Sequence, residues 1–563
     1  GAPGAEPVEH AHGHRHVKAL KTSFPSSESP YTGDAPIPAR GAFCAEVPVI
    51  TNANLTQYYQ VATGLYTPPP ACGQWGQAVL ELSGSVRGVQ FDRFGAVWLG
   101  PVEVLRTTTP EPTTEGIHWK VHRDISSVGA LLDKPANMSI QIPNVVDPTY
   151  TGALLVNISI RFYHSGPQAV EDRRQREVRA LTDFTALPGV TPIFATNVTG
   201  GATQVNLVKG LPRSIAAARL EVFASGHGCE EFWYSNLPTS LTPSGGCGSG
   251  AYREIEVWVD GVLAGVQYPF PVIYTGGVNP FLWRPLTGIG SFAVPPYNFD
   301  LTPFAGLLAD GQEHNVSIGV RHDNEQGVWY VDGVLHLELG GSGAAWEVES
   351  HSDVQPPVSV KTTGNINATL NVTTTGKRQV KVTAKRGAST FSVSQQLQAY
   401  NFNTVEGNLQ VSVGYMKSVT TTTRDQDITK VVTYYPYYVY DFYAEDNKTM
   451  EIEAVVNYTR SVVVHGEVGG QARDLALLGV INASAVYNRS LTNHSELFKG
   501  GGGSSELAKI TLGDSPCYQR SVEAKDGYTK AAHNSTYACS WGEFYVCGLE
   551  ICRGVPEPIL AFV

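Results

Sequence analysis

The chain has 563 residues, of which 16% are charged, and its formal net charge is −11. Domains usually contain about 100–150 residues, so this length predicts several domains rather than one core. An acidic balance without a basic stripe argues against nucleic acid as a partner. No run reaches the roughly 18–20 apolar residues that a membrane helix needs, so no membrane partner is expected.

Sequons and cysteines indicate the secretory pathway. Thirteen Asn-X-Ser/Thr sequons favour a glycosylated protein, secreted or held in a vacuolar or lysosome-like compartment. They lie at Asn54, Asn137, Asn157, Asn197, Asn315, Asn367, Asn371, Asn447, Asn457, Asn482, Asn488, Asn493 and Asn534. The eight cysteines are an even number without a CxxC pair, which favours disulfides. Neighbours along the chain suggest Cys44–Cys72, Cys229–Cys247, Cys517–Cys539 and Cys547–Cys552, while spacing leaves the connectivity open.

Residues 1–40 are expected to be a flexible segment rich in histidine and proline. Alternating histidines could bind a metal weakly, but a disordered leader is favoured because nothing nearby supplies a packed second shell. These histidines are His10, His12, His14 and His16. No signal peptide is present at Gly1, so we take the chain as mature or trimmed.

Residues 41–180 alternate with a period of two, which is typical of half-buried antiparallel strands. One strand around Asn157 places five apolar side chains on one face and the sequon on the other; the apolar residues are Leu154, Val156, Ile158, Ile160 and Phe162. Strand runs separated by Gly, Pro and Asp turns predict a first jelly-roll domain. Residues 170–187 are interpreted as a short charged helix or a linker.

Residues 181–345 repeat this pattern and predict a second jelly-roll domain. A strand over 255–259 is followed by a turn at Asp260-Gly261, and a hairpin is expected around Asp332-Gly333. Between them lies YTGGVNPFLWRPLTGIGSF (274–292), which has no regular period. Long ordered loops on β-scaffolds often carry function.

Residues 346–563 predict a β-rich accessory domain with strands over 380–384 and 431–443. The run GGGGSS over residues 500–505 is expected to be a flexible loop or an engineered join. The predicted fold class is therefore all-β: two adjacent jelly-roll-like β-sandwiches followed by a further β-rich C-terminal domain.

Acidic residues are the remaining candidates for chemistry. The motifs HExxH, GxSxG, Walker A and the dinucleotide fingerprint are absent from the sequence, and each cysteine has a plausible oxidised partner. Asp92 precedes two strand-like runs, 97–99 and 102–105, and an acid placed there beside an arginine and aromatic rings suits a polar ligand such as a sugar. The alternative interpretation is a β-hairpin with a surface ion pair. Glu230 and Glu231 stand beside Trp233, where partial burial would raise a Glu pKa, or they form a solvated acidic loop. Trp283 and Arg284 could supply a ring that stacks on a sugar and a hydrogen-bond donor to it. The alternative is that Trp283 is buried in the core and Arg284 lies on the surface.

Four stretches together resemble the peptide:N-glycosidase A family. They are FDRFGAVWLGPVEVLRTTTPEP (91–112), VVDPTYTG (145–152), EFWYSN (231–236) and TGGVNPFLWRPLTGIGSF (275–292). The resemblance is strong from about 41 to 345. It implies an amidase that hydrolyses the bond between an Asn side chain and the first N-acetylglucosamine, giving Asp and a glycosylamine that loses ammonia. Activity at acidic pH and tolerance of core α1,3-fucose are implied as well.

A more distant similarity to bacterial peptide:N-glycosidase F implies roles for single residues. Its aromatic-Asp-Arg triplet resembles Phe91-Asp92-Arg93, which makes Asp92 the catalytic acid and Arg93 its support. Its second carboxylate corresponds to Glu231, with Glu230 as the rival. Asn144 lies where that enzyme has a third acid. Substrate binding is expected from Arg93, Glu230, Trp233, Asn144, Trp283 and Arg284.

The expected substrates are N-glycosylated peptides or denatured glycoproteins, with no cofactor and no metal. The chain is expected as a monomer or a nicked two-chain form. Two rival functions remain at this stage. One is a non-catalytic N-glycan-binding protein, and the other is a glycosidase of the endo-β-N-acetylglucosaminidase type that uses Asp92 and Glu231 as an acid/base pair.

Overall fold

A computed structural model gives the architecture of most of the chain. It describes residues 37, 39, 41–73, 75–113, 115–164, 176–180, 196–198, 203–242, 246–321, 327–340, 345–446, 449–468, 471–490, 499–512 and 517–537. The predicted His-rich segment and the pairs Cys517–Cys539 and Cys547–Cys552 fall wholly or partly outside these residues.

Two four-stranded antiparallel sheets form the first sandwich. One has the strand order β1 (Phe43–Leu55), β8 (Ala153–His164), β3 (Trp75–Arg87), β6 (Ile117–Asp124). The other has the order β2 (Val61–Tyr66), β7 (Ala136–Gln141), β4 (Phe94–Leu99), β5 (Val102–Thr108). Short helical turns lie at Pro70–Cys72, Ser126–Val128 and α1 (Gly129–Leu132).

Alternating apolar residues explain this sandwich. The predicted strand around Asn157 is β8, and its five apolar residues are all buried, because one face of an antiparallel strand turns to the core. Side chains from both sheets meet in one apolar cluster. The Cys44–Cys72 disulfide, which joins β1 to the turn before β3, is present as suggested.

The second sandwich is also built from two antiparallel sheets. One has the order β10 (Thr196–Val198), β17 (Gly327–Leu339), β12 (Ile215–Gly228), β15 (Tyr297–Asp300), with β9 (Arg176–Ala180) also paired to β17. The other has the order β11 (Thr203–Val208), β16 (His314–Arg321), β13 (Glu254–Val259), β14 (Val262–Gln267). Helical turns lie at Trp233–Ser235, Thr239–Leu241, Pro280–Leu282, Thr302–Phe304 and α2 (Ala305–Leu308).

Two local predictions in this region are wrong. Asp332-Gly333 is not a hairpin turn, because β17 runs straight through it and pairs with β12 at Phe223 and Val222. Its Asp332 is a buried acid rather than a turn residue. Residues 176–180, expected in a helix or linker, form a strand whose backbone pairs with β17. The turn at Asp260-Gly261 is confirmed between β13 and β14, with positive φ at both residues.

An eleven-stranded antiparallel sheet follows the two sandwiches, and we call it the C-terminal sheet. Its order is β18-β20-β21-β22-β23-β24-β25-β26-β27-β28, with β19 also paired to β20. The strands span Glu347–Val354, Ser359–Gly364, Thr369–Arg386, Ser389–Glu406, Leu409–Arg424, Asp427–Glu445, Thr449–Val468, Gln471–Ser490, Lys499–Leu512, Cys517–Lys525 and Tyr528–Tyr537 from β18 to β28. The expected loop over 500–505 is wrong: these residues lie in β26, where backbone pairing with β25 overrides the glycine content.

The C-terminal sheet packs its inner face on the second sandwich. Val382, Leu397, Val456 and Ile481 belong to the same apolar cluster as Val257 of β13. Arg378 adds a buried polar contact, because its guanidinium bonds Glu254 and Glu256 of β13 as well as Asp353 of β18. Throughout the described residues, each apolar cluster that includes the C-terminal sheet also includes residues of the second sandwich.

The two sandwiches meet along β5, which is buried over its whole length. Arg106 of β5 is bidentate to Glu103 and donates to Ser225 Oγ at 3.1 Å and to the Tyr330 carbonyl at 2.6 Å. The backbone of β5 also receives the end of the 274–292 loop, since Thr108 N donates to Ser291 O at 3.1 Å. This junction fixes the 274–292 loop against the first sandwich.

The all-β fold class is confirmed, while jelly-roll connectivity stays a prediction. In the described part of the chain, no helix has the length and apolarity needed to cross a membrane. The disulfides are consistent with an extracellular or secreted protein. Every sequon Asn whose side chain is described is exposed or half-buried, which leaves those positions accessible to modification.

Candidate functional site

Asp92 lies immediately before β4, where the 274–292 loop crosses it. The amide N–H of Gly276 donates to Asp92 Oδ2 at 2.9 Å, and the Thr275 hydroxyl lies 3.2 Å from the same oxygen. The side chain is half-buried, so one side of the carboxyl group is held by protein while the residue still reaches the surface. The predicted acid is thus located where the two sandwiches meet.

A second acid, Glu111, shares this position, and the sequence reasoning missed it. The amide N–H of Asp92 donates to Glu111 Oε2 at 3.1 Å, and Glu111 is only 5% exposed. A Cβ placed on Gly276 would come within 2.5 Å of Asp92 Oδ1 and 3.1 Å of Glu111 Oε2. Only glycine therefore lets this loop approach both acids at once.

The environment of Glu111 favours its neutral form. Burial and the neighbouring charge of Asp92 raise the pKa of Glu111 to about 8, while the positive charge of Arg284 acts in the opposite direction. Two carboxylates that share a site cannot both ionise easily, because their charges repel. At neutral and acidic pH the pair therefore holds a proton on Glu111.

Arg284 reaches the site from the middle of the same loop. Its Nη2 donates to the carbonyls of Glu111 and of Pro112, the latter at 3.0 Å. The guanidinium is buried, and burial lowers its pKa to about 10 against the effects of Glu111 and Glu115. Arg284 thus holds the backbone that carries Glu111, and it is not the surface donor considered from the sequence.

Arg93 follows Asp92 in the chain and is half-buried. Its Nε donates to Gln90 Oε1 at 3.1 Å, and its guanidinium lies 6.0 Å from the Phe91 ring centroid. Burial lowers the pKa of Arg93, an effect that the negative charge of Asp92 opposes. Arg93 and Asp92 are therefore neighbours at the surface, as the triplet predicts.

Asn144 is fully buried, so it presents no surface to a ligand. Its Nδ2 donates to the carbonyls of Leu55 at 2.9 Å and Gly152 at 3.1 Å. Gln90 Nε2 donates to the carbonyl of Val145 at 2.9 Å, in the loop that follows Asn144. These bonds fix the loop that brings Tyr150 to 5.6 Å from Phe91, so Asn144 acts on the site through the backbone.

Glu230 and Glu231 have different environments. Glu230 is fully buried, bidentate with Arg253, and accepts a hydrogen bond from Trp329 Nε1 at 2.8 Å. Its two oxygens are occupied by protein donors, which makes it a structural acid of the second sandwich. Glu231 is half-buried, and its charge contributes to raising the pKa of Tyr274, the residue before Thr275. Of the two, Glu231 is therefore the one whose charge acts on the 274–292 loop.

The two predicted sugar-stacking indoles lie in the core. Trp233 is 4% exposed and packs in the cluster shared with the C-terminal sheet. Trp283 is 2% exposed, and its Nε1 donates to the Gly277 carbonyl at 2.8 Å. Neither ring offers a face to solvent. Trp283 instead holds the turn that presents Gly276 to Asp92.

A pair of exposed tyrosines, one of which lies near Arg93, is found where the indoles are not. Tyr58 and Tyr59 are 44% and 64% exposed, and their rings lie 5.0 Å apart. Tyr58 and Tyr150 are both near enough to influence the pKa of Arg93. The adjacent pair TQYYQ (56–60), between two strand-like runs, is the sequence signal that could have indicated this surface.

An aromatic cluster surrounds His227 between Phe94 of β4 and Tyr274 of the 274–292 loop. The His227 ring lies 4.4 Å from Phe94 and 4.4 Å from Tyr330, and it stacks on Tyr274 at 5.8 Å. Burial lowers the pKa of His227 to about 3, so the ring is neutral at physiological pH. The cluster therefore places uncharged rings between β4 and the 274–292 loop, next to the residues that hold Asp92.

These features define an all-β protein with a pair of carboxyl groups, one neutral and buried and one hydrogen-bonded and half-buried, where two β-sandwiches meet. No group of three metal-binding side chains occurs within the described ranges. Such a pair can accept a proton at one group and supply a proton from the other.

The chain belongs to the peptide N-acetyl-β-D-glucosaminyl asparaginase amidase A family, whose model matches residues 37–355. It is 37% identical over 314 residues to peptide-N4-(N-acetyl-β-glucosaminyl)asparagine amidase A of Prunus dulcis, with 52% of this chain and 54% of that sequence covered. The chain thus spans about half the length of this relative. The family resemblance seen in the sequence is confirmed.

Two solved structures are similar over about half of the chain. PNGase F, a glycosylasparaginase from Flavobacterium meningosepticum, is 13% identical with a TM-score of 0.36, covering 53% of this chain and 97% of that one. PNGF-II is 14% identical with a TM-score of 0.35, covering 53% and 66%.

Proposed function

We propose that the chain is an amidase that hydrolyses the bond between an Asn side chain and the first N-acetylglucosamine of an N-glycan. The observation that carries this proposal is the carboxyl pair of Asp92 and Glu111 held against Gly276, in a chain of this family. The products are a peptide with Asp in place of Asn and a glycosylamine, which loses ammonia in water.

Asp92 is the proposed general base. Water adds to the Asn side-chain carbonyl carbon and gives a proton to Asp92, and the carbon–nitrogen bond then breaks as the nitrogen takes up a proton. Glu111 supports this role because it is neutral, so the site keeps one negative charge on Asp92. The proton on Glu111 is the one available for the departing nitrogen.

Glu231 and Arg93 complete the proposed site. Glu231 would orient the attacking water from the second sandwich, and Arg93 would donate to the sugar beside the exposed rings of Tyr58 and Tyr59. Aromatic faces cover the apolar side of a pyranose while a guanidinium bonds its hydroxyls. Positioning of water and substrate accounts for much of the rate enhancement in such reactions.

The deciding experiment is mass spectrometry of a short N-glycopeptide incubated in heavy-oxygen water. An amidase yields free glycan and a peptide whose new Asp carries one heavy oxygen. Asn that retains one N-acetylglucosamine would instead identify an endo-glycosidase. Unchanged glycopeptide that binds the protein would identify a non-catalytic glycan-binding protein, and either result would overturn the proposal.

The substrates we propose are N-glycosylated peptides and denatured glycoproteins, including those with core α1,3-fucose. We further propose that the enzyme works at acidic pH in the secretory pathway or a vacuole-like compartment, where the Glu111 proton is fully retained. Matched glycopeptides with and without the fucose, assayed from acidic to basic pH, test both statements. Cleavage restricted to unfucosylated peptide, or a maximum above the pKa of Glu111, would contradict them.

A further inference from the structure

The C-terminal sheet touches the loops that carry the second sandwich's share of the site. We propose that this sheet is a working part of the amidase site, and that Tyr458 of β24 is a positioning residue that holds the 274–292 loop against Asp92. This inference rests on the proposed function and extends it, since it assigns a role to the part of the chain beyond residue 355 that the family model does not match.

Tyr458 contacts the 274–292 loop through its hydroxyl. The amide N–H of Ile289 donates to Tyr458 Oη at 2.6 Å, and a Cβ on Gly288 would lie 2.5 Å from that oxygen. The ring is 2% exposed and meets Trp283 edge-on at 6.5 Å. One side chain of the sheet therefore fixes both the turn at 288–289 and the indole that supports Gly277.

Other residues of the sheet hold the middle of the same loop. Asn279 Nδ2 donates to the Ile452 carbonyl at 3.4 Å, and the rings of Phe281 and Tyr487 lie 5.6 Å apart. A Cβ on Gly502 of β26 would lie 2.5 Å from the Phe281 carbonyl oxygen. The glycine run in β26 thus lets the 280–282 turn approach the sheet closely.

The loop that carries Glu231 is held from the same face. Asn401 Nδ2 donates to the Tyr234 carbonyl at 2.8 Å, and Gln410 Nε2 donates to the Ser235 carbonyl at 2.6 Å. These donors lie on β21 and β22. The two loops that the second sandwich contributes to the site are therefore both hydrogen-bonded to the C-terminal sheet.

The opposite edge of the 274–292 loop faces the acids. Gly276 N–H bonds Asp92, and Arg284 bonds the backbone at Glu111 and Pro112. The loop therefore connects Tyr458 to the carboxyl pair through a short, buried path. Misplacement of a reacting group by about 1 Å can cost roughly a hundredfold in rate, so the loop position matters to catalysis.

The test compares Tyr458→Phe with the matched control Tyr435→Phe. Tyr435 is a buried tyrosine on the same face, one strand away, which packs on Phe270 at 5.1 Å and lies outside the site loops. Both variants lose one buried hydroxyl. We expect Tyr458→Phe to lower kcat by about ten- to hundredfold with little change in KM, and Tyr435→Phe to leave both constants as they are at a similar Tm.

The pH profile supplies a readout that a general loss of stability would not move. If the loop loosens, Arg284 draws away from Glu111, and the charge that lowers the pKa of Glu111 weakens. The basic limb of the kcat profile of Tyr458→Phe should therefore shift to higher pH. Equal kcat losses in the two variants, or an unmoved basic limb in Tyr458→Phe, would overturn the positioning role.

Hydrogen exchange separates this inference from the proposed function. Amides 274–292 should exchange faster in Tyr458→Phe than in Tyr435→Phe, whether or not the wild-type protein cleaves glycopeptide. A second variant, Gly502→Ala, should raise exchange in the same segment because its Cβ meets the Phe281 carbonyl. Unchanged exchange in both variants would show that the sheet does not hold the loop. If exchange is faster in Tyr458→Phe but the wild-type protein does not cleave glycopeptide, the amidase function is refuted and the contact between the sheet and the loop stands.

Discussion

The amide N–H of Asp92 donates a hydrogen bond to Glu111 Oε2 at 3.1 Å, across 19 positions of the chain. This contact places two acids of the first sandwich side by side, and Gly276 of the second sandwich closes over them. The pair differs in burial, and that difference assigns the proton to Glu111.

Asp92→Asn should lower amidase activity by at least about a hundredfold, because general-base catalysis contributes roughly 10²–10⁴-fold. The free energy of unfolding should change by less than about 1–2 kcal/mol, since the residue is half-buried and isosteric replacement keeps its size. Glycopeptide cleavage and thermal melting measure the two quantities. Asp133→Asn, at an exposed turn, is the control that should keep full activity; retained activity in Asp92→Asn would end the assignment.

Glu111→Gln should remove the basic limb of the pH–activity profile. In the wild-type protein the donor form of Glu111 is lost as pH rises through about 8, so activity should fall there. Its folded pKa is raised above the value of 4.5, so its contribution to stability is complete below pH 4.5 and is lost as pH rises through about 8. Kinetics and melting curves across this range check both effects. The exposed neighbour Glu115→Gln should keep the wild-type profile, and a basic limb that survives in Glu111→Gln would exclude this acid.

Glu230→Gln and Glu231→Gln should have opposite consequences. Removing one member of a buried ion pair costs about 3–5 kcal/mol, so Glu230→Gln should lower the Tm strongly by leaving Arg253 without its carboxylate. Glu231→Gln, at a half-buried position, should keep the Tm and lower kcat. Calorimetry and glycopeptide assays on the two variants decide between them. A stable, inactive Glu230→Gln together with a fully active Glu231→Gln would reverse the assignment.

Asp332→Asn should reduce the dependence of stability on pH. Burial and the nearby charge of Glu103 raise the pKa of Asp332 well above its usual value, with Arg106 acting in the opposite direction. A raised folded pKa means that this acid stabilises the fold at low pH and ceases to do so as pH rises through that pKa. The Tm of the wild-type protein should therefore fall more steeply than that of the variant as pH rises above the usual titration range of an aspartic acid. Asp133→Asn, at an exposed turn, should keep the wild-type slope, and identical slopes in all three proteins would contradict the prediction.

Periodicity in the sequence was a reliable guide to strands and a poor guide to their ends. The alternation at 154–162 predicts β8 because one buried face leaves a period of two. Asp332-Gly333 has the composition of a turn, yet it lies inside β17, since the contact with Trp98 and Glu103 across the sandwich junction decides its conformation. The glycine run of β26 misled in the same way, because the 280–282 turn needs the space that a side chain would fill.

The sequence by itself determined the β class, the family and the position of Asp92 beside Arg93, and it suggested the two disulfides that the structure contains, because each of these depends on composition or on neighbours along the chain. Only the tertiary structure decided which second acid meets Asp92. Glu111 is brought there by the β4–β5 hairpin and then covered by a loop more than 160 positions away. Burial, which raises the pKa of Glu111 and encloses Trp233 and Trp283, is a property of long-range packing that residue order alone does not contain.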